Sequence, residues 1–178
     1  MADGNAMNER DALLFGVRRS VRYHRRRERF FDAWGKFTSA VNVIFGSAAV
    51  TAILGSHPHL GIAAGIVVAV MSTVDLVVGS STSARNHSDL ARRFIELEAK
   101  IERASADASL AEFKEGRLEI EGDEPPVLRT LDAICHNELA KSMGRDDQIY
   151  KVGFFRRRLA QFISFDTSNL RPLNAEHR

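Results

Sequence analysis

Two adjacent stretches decide the fold: Phe37-Thr-Ser-Ala-Val-Asn-Val-Ile-Phe-Gly-Ser-Ala-Ala-Val-Thr-Ala-Ile-Leu54 and Leu60-Gly-Ile-Ala-Ala-Gly-Ile-Val-Val-Ala-Val-Met-Ser-Thr-Val-Asp-Leu-Val-Val78. As a helix the first extends ~27 Å, close to the ~30 Å hydrocarbon thickness of a bilayer, and the second is of similar length. From Phe37 to Val78 there is no Lys or Arg, and Asp75 is the only acidic residue. Neither stretch carries the polar stripe of a half-buried amphipathic helix. Gly55-Ser-His-Pro-His59 separates them, with Gly55 and Pro58 supplying helix-breaking chemistry for a tight turn. The pattern predicts two transmembrane helices in a hairpin. Two central helices of a water-soluble bundle are the alternative, disfavoured because buried soluble helices of this kind usually run about 10–14 residues. The first segment is the more polar, with Ser39, Asn42, Ser47 and Thr51 inside it.

Outward from the hairpin, charge sets the orientation. Arg18, Arg19, Arg22, Arg25, Arg26, Arg27 and Arg29 make seven of the twelve residues from 18 to 29, opposed only by Glu28, and Arg85, Arg92 and Arg93 follow the second segment. The turn has no cation, so the positive-inside rule places both flanks and both termini in the cytoplasm of a multi-pass inner-membrane protein. Glu9 to Lys36 reads as one helix, with Leu14, Val17, Val21, His24, Phe31 and Trp34 at three- and four-residue steps. Beside a membrane entry point its seven arginines are expected to meet anionic headgroups, with Trp34 and Phe31 at the interface. Fixing the topology is a second role for the same charges. Nucleic acid is not an expected partner, since no stacking platform or binding fold accompanies the charge.

After a polar break at Ser80-Ser-Thr-Ser83, a helix is predicted from about Asn86. His87, Leu90, Phe94, Leu97, Ile101, Ala104 and Ala108 form a heptad seam, with Leu90, Phe94, Leu97 and Ile101 at its centre. That seam serves a coiled coil, within one chain or between copies, or a small bundle. Gly116 to Pro126 reads as a boundary. A helix from about Pro126 to Ser142 should turn Leu128, Leu131, Ile134, Cys135 and Leu139 inward and end at Gly144. A last helix, roughly Asp146 to Phe165, mixes Tyr150, Phe154, Phe155, Leu159, Phe162 and Ile163 with Arg156-Arg-Arg158; it either lies on the inner membrane face or closes the bundle. The chain is thus expected to be an all-α membrane protein with four parts: a cytoplasmic basic amphipathic helix (1–36), a transmembrane hairpin (37–80, spans 37–54 and 60–78), a cytoplasmic helical region (81–166) and a tail (167–178).

No catalytic or metal site is expected, and no cofactor. His57 and His59 are too few for a metal centre, and Cys135 and His136, adjacent on a helix, diverge by about 100°. Phosphate-loop, dinucleotide and metalloprotease signatures are missing, so nothing points to an enzyme. The residue that stands out is Asp75, an acid inside an apolar segment, where it is costly without a partner. Counted outward from His57, Asn42 is 15 residues back and Asp75 is 18 ahead, a mismatch of about one helical turn in an antiparallel pair. Asp75 should share a face with Ala64, Val68, Ser72 and Gly79, and Asn42 with Ser39, Gly46 and Ala49. Asp75, Asn42, Ser39 and Ser72 are therefore the candidate intramembrane polar residues, suited to close packing or to a narrow pore. Asp75 snorkelling to the headgroups or pairing with a nearby arginine is the plainer role.

This order of elements resembles the SLATT domain family of bacteria, a group of two-transmembrane effectors. The residues that carry the likeness are Arg19-Ser-Val-Arg-Tyr-His-Arg-Arg-Arg-Glu-Arg-Phe-Phe31, Gly46-Ser-Ala-Ala49, His87-x-x-Leu-x-x-x-Phe-x-x-Leu97 and Gly153-Phe-Phe-Arg-Arg-Arg158. The resemblance, over about residues 12–165, implies a homo-oligomeric pore-forming or membrane-perturbing effector of phage defence, paired with nucleotide-making or nucleotide-sensing proteins. With no recognisable fused sensor domain, such a trigger would come from a separate nucleotide-sensing partner or from the chain's own cytoplasmic part. A non-conducting membrane scaffold that docks a cytoplasmic partner is the competing expectation, and a small phage-type membrane protein acting in lysis or exclusion is a third.

Overall fold

The computed structural model describes residues 2–47, 55, 58–105 and 108–166. Within them the chain is all-helical: α1 (Ala2–Gly46), α2 (Pro58–Val78), α3 (Ser80–Arg103), α4 (Ala111–Gly122), α5 (Arg129–Ser142), a 3-10 turn (Asp146–Gln148) and α6 (Phe154–Leu159). Residues 48–54 of the first apolar segment, Ser56 and His57 of the turn, Ala49, Thr51 and the tail from Thr167 lie outside the described residues. The described residues fall into two compact units that divide at 26/27 and 87/88, the larger holding those before 27 and after 87 and the smaller those between.

α1 runs without a break from the basic stretch into the apolar one, because no proline precedes Pro58 and nothing else in residues 2–46 stops a helix. α2 and α3 meet at Gly79, whose φ of +58° is the left-handed conformation that costs other residues about 1–2 kcal/mol. The break expected at Ser80–Ser83 is therefore displaced onto this glycine, and those serines are helical. Among the described residues one helical stretch, His59–Arg103, contains a segment long and apolar enough to cross a membrane; its apolar part is α2.

In the larger unit the first part of α1 is covered on several sides. Leu13 and Val17 pack with Leu90, Phe94, Leu97 and Ile101 of α3 and Ile120 of α4. Tyr23 joins Leu131, Ile134, Cys135 and Ala160, and Phe15 joins Leu139 and Ala140. The α3 seam is thus filled within one chain by α1 and α4. α4 occupies a stretch read as a boundary: Gly116 is tolerated in mid-helix at a cost of about 1 kcal/mol, while the Arg117–Glu121 pair at 2.7 Å supports the same turn. α5 begins three residues later than expected, at Arg129, and ends as expected before Gly144, whose φ is +70°.

The helix expected over Asp146–Phe165 is replaced by a 3-10 turn and the six residues of α6. Asn137 explains the interruption. Its Nδ2 donates to the Tyr150 carbonyl at 2.7 Å, and its Oδ1 accepts from the Tyr150 N–H at 2.8 Å. A side-chain amide that satisfies both backbone groups of one residue removes them from a helical ladder.

Candidate functional site

The unit of residues 27–87 holds the candidate residues around Asp75. Along α2 the covered positions are Gly61, Ala64, Val68, Met71 and Asp75, steps of three and four that follow one helix face. On the other sides Leu60, Ile62, Ile66, Val70, Leu76 and Val77 are all more than half exposed, with Leu76 at 83%. Phe37, Val43 and Ile44 of α1 are exposed to a similar degree. Two threonine hydroxyls of this unit return to their own helix: buried Thr38 Oγ1 donates to the Gly35 carbonyl at 3.0 Å and exposed Thr73 Oγ1 to the Ala69 carbonyl at 2.8 Å.

Asp75 is half-buried, and its Oδ1 accepts a hydrogen bond from Ser80 Oγ at 2.7 Å. Ser80 also meets α1 at Gly35, where a Cβ would lie 2.9 Å from its hydroxyl oxygen, so any larger residue there must turn that hydroxyl aside. Around them a cleft of about 520 Å³ is lined by Asp32, Lys36, Ser39, Asp75, Ser81 and Arg85 among others. Asp32 and Lys36 form an ion pair of 2.6 Å within it. The cleft brings Asp75 to Ser39. Asn42 sits three residues, about one turn, further along α1 and does not line it. Its Oδ1 is buried without a hydrogen-bond partner among the described residues, as is Trp34 Nε1. Ser72, expected beside Asp75, is exposed, and Met71 takes the covered position. Repeated steps of four from Ala64 overshoot a 3.6-residue turn by 40° each, enough to carry position 72 off the stripe.

In the other unit, the arginines of α1 do not form a uniform headgroup-facing row. Arg18 pairs with Glu98 at 2.6 Å and also with Glu102, Arg19 with Asp132 at 3.1 Å and Arg26 with Glu138 at 2.7 Å. Arg22 reaches Ser142 Oγ at 3.3 Å. The hydrogen bond from Arg18 to Glu98, helped by the one to Glu102, holds its guanidinium above its ordinary pKa. Residues that read as a cationic face in isolation thus meet carboxylates arriving on α3 and α5. Arg25 is exposed, as is Arg29 of the smaller unit. In the smaller unit Arg27 lies over the rings of Phe30 and Phe31, at 5.3 and 4.4 Å.

The histidines on the seams are packed aromatics. His24 is 1% exposed, stacks on Phe94 with centroids 5.6 Å apart, and reaches Glu124 Oε1 at 3.0 Å. His87 stacks on Phe31 at 5.7 Å. Burial pushes the Cys135 thiol up to about 12, so it is a poor nucleophile at neutral pH. His136 turns to Phe15 and the Gln148 carbonyl. Among the described residues no three His, Cys, Asp or Glu side chains converge as a metal site.

Glu124, Asn137 and Gly35, which tie these elements together, carried no periodic signal. Leu13 and Phe15 had a different signal: Leu13-Leu14-Phe15 is too wide an apolar run for a helix covered on a single face. Compared with protein families, curated proteins and solved structures, the chain matches none of them.

Proposed function

We propose that this chain is an integral membrane protein whose segments 37–54 and 60–78 cross the bilayer as a hairpin, with both termini in the cytoplasm. It acts as a homo-oligomeric pore-forming or membrane-perturbing effector. The observation that carries the membrane reading is the apolar surface of α2, where residues such as Leu76 and Val77 are more than 80% exposed on a segment with one charge. A water-soluble protein rarely leaves so large an apolar patch uncovered.

The conducting role rests on Asp75. Its carboxylate lies on the covered face of α2 and opens to a polar cleft, while the amide oxygen of Asn42 has no hydrogen-bond partner among the described residues. An unpaired buried acceptor costs about 1–3 kcal/mol, which a neighbouring copy or a file of water would relieve. Copies assembled with the clefts inward would ring a passage with carboxylates near its cytoplasmic mouth, attracting cations. The resemblance to two-transmembrane effectors supplies the setting of phage defence, with a nucleotide-sensing partner as trigger. The α3 seam, closed within the chain, leaves oligomerisation to the membrane-facing surfaces.

Planar-bilayer recordings of purified wild type and Asp75→Asn test this. Asparagine keeps size and hydrogen bonding and removes charge, so assembly should survive while cation current falls. Equal conductance and equal cation preference remove Asp75 from the mechanism. Recovery of the protein in the soluble fraction without detergent ends the membrane reading itself.

A further inference from the structure

The segment from Phe154 to Ile163 is fastened to its unit through Ala160, and Arg157 borders a cleft shared with Ile134, Asn137 and Glu138 of α5. Ala160 is 1% exposed, packed with Tyr23, Leu131 and Cys135. At 100° per residue, position 155 points about 140° away from position 160, and Phe155 is 80% exposed. Phe154 is 66% exposed, Ile163 48% and Leu159 41%. Arg157 and Arg158 are exposed among them, with the Arg158 guanidinium 5.3 Å from the Phe154 ring centre. From Gln148 to Phe165 the chain has four cations, Lys151 and Arg156 to Arg158, and no acid.

We propose that this patch is a membrane-surface anchor, which docks the larger unit onto an anionic leaflet with Phe154 and Phe155 at headgroup depth and Arg157 and Arg158 on lipid phosphates. The proposal rests on the membrane reading above. Six helical residues, about 9 Å long, cannot span a bilayer but can lie in its interface. Aromatic rings beside arginines suit that zone, where each ring buries apolar surface and each cation meets negative charge. A second copy is the poorer occupant: a two-fold contact through this patch sets Arg157 and Arg158 near their own copies. The chain crosses between the two units at residues 26/27 and 87/88, so an embedded hairpin keeps the patch at high effective concentration beside lipid. Weak individual contacts then suffice.

The test uses the full chain in lipid nanodiscs, with Trp34→Phe removing the only tryptophan. Phe155→Trp reports the patch and, separately, Leu76→Trp reports the apolar helix. Phosphatidylcholine discs are made with and without phosphatidylglycerol and with and without brominated acyl chains. In phosphatidylglycerol discs the tryptophan at 155 should lose roughly half its emission to bromine, and the loss should shrink at high salt. Arg157→Gln with Arg158→Gln should lower the docked-to-undocked ratio roughly thirtyfold. Bromine quenching at position 76 with none at 155 overturns the anchor and leaves the hairpin standing. Emission at 155 that ignores bromine and shifts with protein concentration assigns the patch to a second copy and likewise overturns it. No quenching at 76 removes the membrane reading and the anchor together. Should the tryptophan variant misfold, amide exchange over 154–163 in wild type decides: slower in phosphatidylglycerol than in phosphatidylcholine discs supports the anchor, and equal rates overturn it.

Discussion

Phe94→Ala is the sharpest test of how the α3 seam is closed. Phe94 is 0% exposed, sits in a cluster with Leu13, Val17, Leu90, Leu97, Ile101 and Ile120, and stacks on His24. Removing a buried phenyl ring and leaving its cavity costs about 3–5 kcal/mol, the upper part being apt because His24 also loses its stacking partner. Amide exchange reads that loss directly: the protected amides of residues 13–24 and 90–101 should exchange roughly a hundredfold to a few thousandfold faster. Ile95 is the internal control, 39% exposed and one residue along the same helix, where truncation to alanine should cost about 1 kcal/mol or less. Both variants are measured by exchange mass spectrometry as full chains in detergent, with oligomer mass recorded alongside. If Phe94→Ala leaves exchange near wild type but lowers the oligomer mass, the seam faces another copy and the intramolecular packing described above is wrong.

Two further outcomes follow from single contacts. Gly35→Ala places a methyl group 2.9 Å from Ser80 Oγ and displaces the hydroxyl from Asp75; thermal melting in detergent should show a loss of about 1–3 kcal/mol. In a Ser80→Ala background the hydrogen bond is already gone and the new methyl group meets nothing nearer than the Cβ of residue 80 at 3.7 Å, so there Gly35→Ala should cost little; a full loss in that background would sink this account. Burial raises the Asp132 pKa above its ordinary value of 3.8, with Arg19 opposing. A raised folded-state value means the contribution of Asp132 is fully present below the unfolded pKa and is lost as pH rises through the folded one. The stability of Asp132→Asn relative to wild type should therefore grow as pH rises from about 3.8 and then level off, followed by thermal melts across pH; a flat or falling difference refutes it.

The elements with a strong period were legible in the sequence. Leu90, Phe94, Leu97 and Ile101 recur at helical steps, and all four are buried; Leu131, Ile134, Cys135 and Leu139 are buried likewise. Gly144 ended its helix where a left-handed residue was needed. The misses have physical causes. α4 was obscured by Gly116, a breaker by propensity that its neighbours override. The break before α6 depends on Asn137, thirteen residues from Tyr150, a contact without any local pattern. Charge was the least legible property, since the fate of Arg18 or Arg26 depends on Glu98, Glu102 and Glu138, which lie far along the chain. At Asp75 the expected face was nearly right. Ser39 and Ser80, rather than Ser72, share its surroundings, because the expectation stepped by four where the helix steps by three and four.

The ion pairs of α1 also impose an order of events on synthesis. Arg10, Arg18, Arg19 and Arg26 leave the ribosome before any of the groups that later hold them: the carbonyls of Ile101, Ala104 and Ser105, then Glu98, Glu102, Asp132 and Glu138. Between the two sets lie both apolar segments. With those segments inserted as proposed, the arginines are uncommitted while insertion takes place, which is when cations can retain the amino terminus on the side of synthesis. Only when α3 and α5 emerge do their carboxylates claim the same side chains. On that proposal one run of arginines would serve twice in succession, first as a brake on translocation and then as the latch of a bundle that closes after both apolar segments have been made.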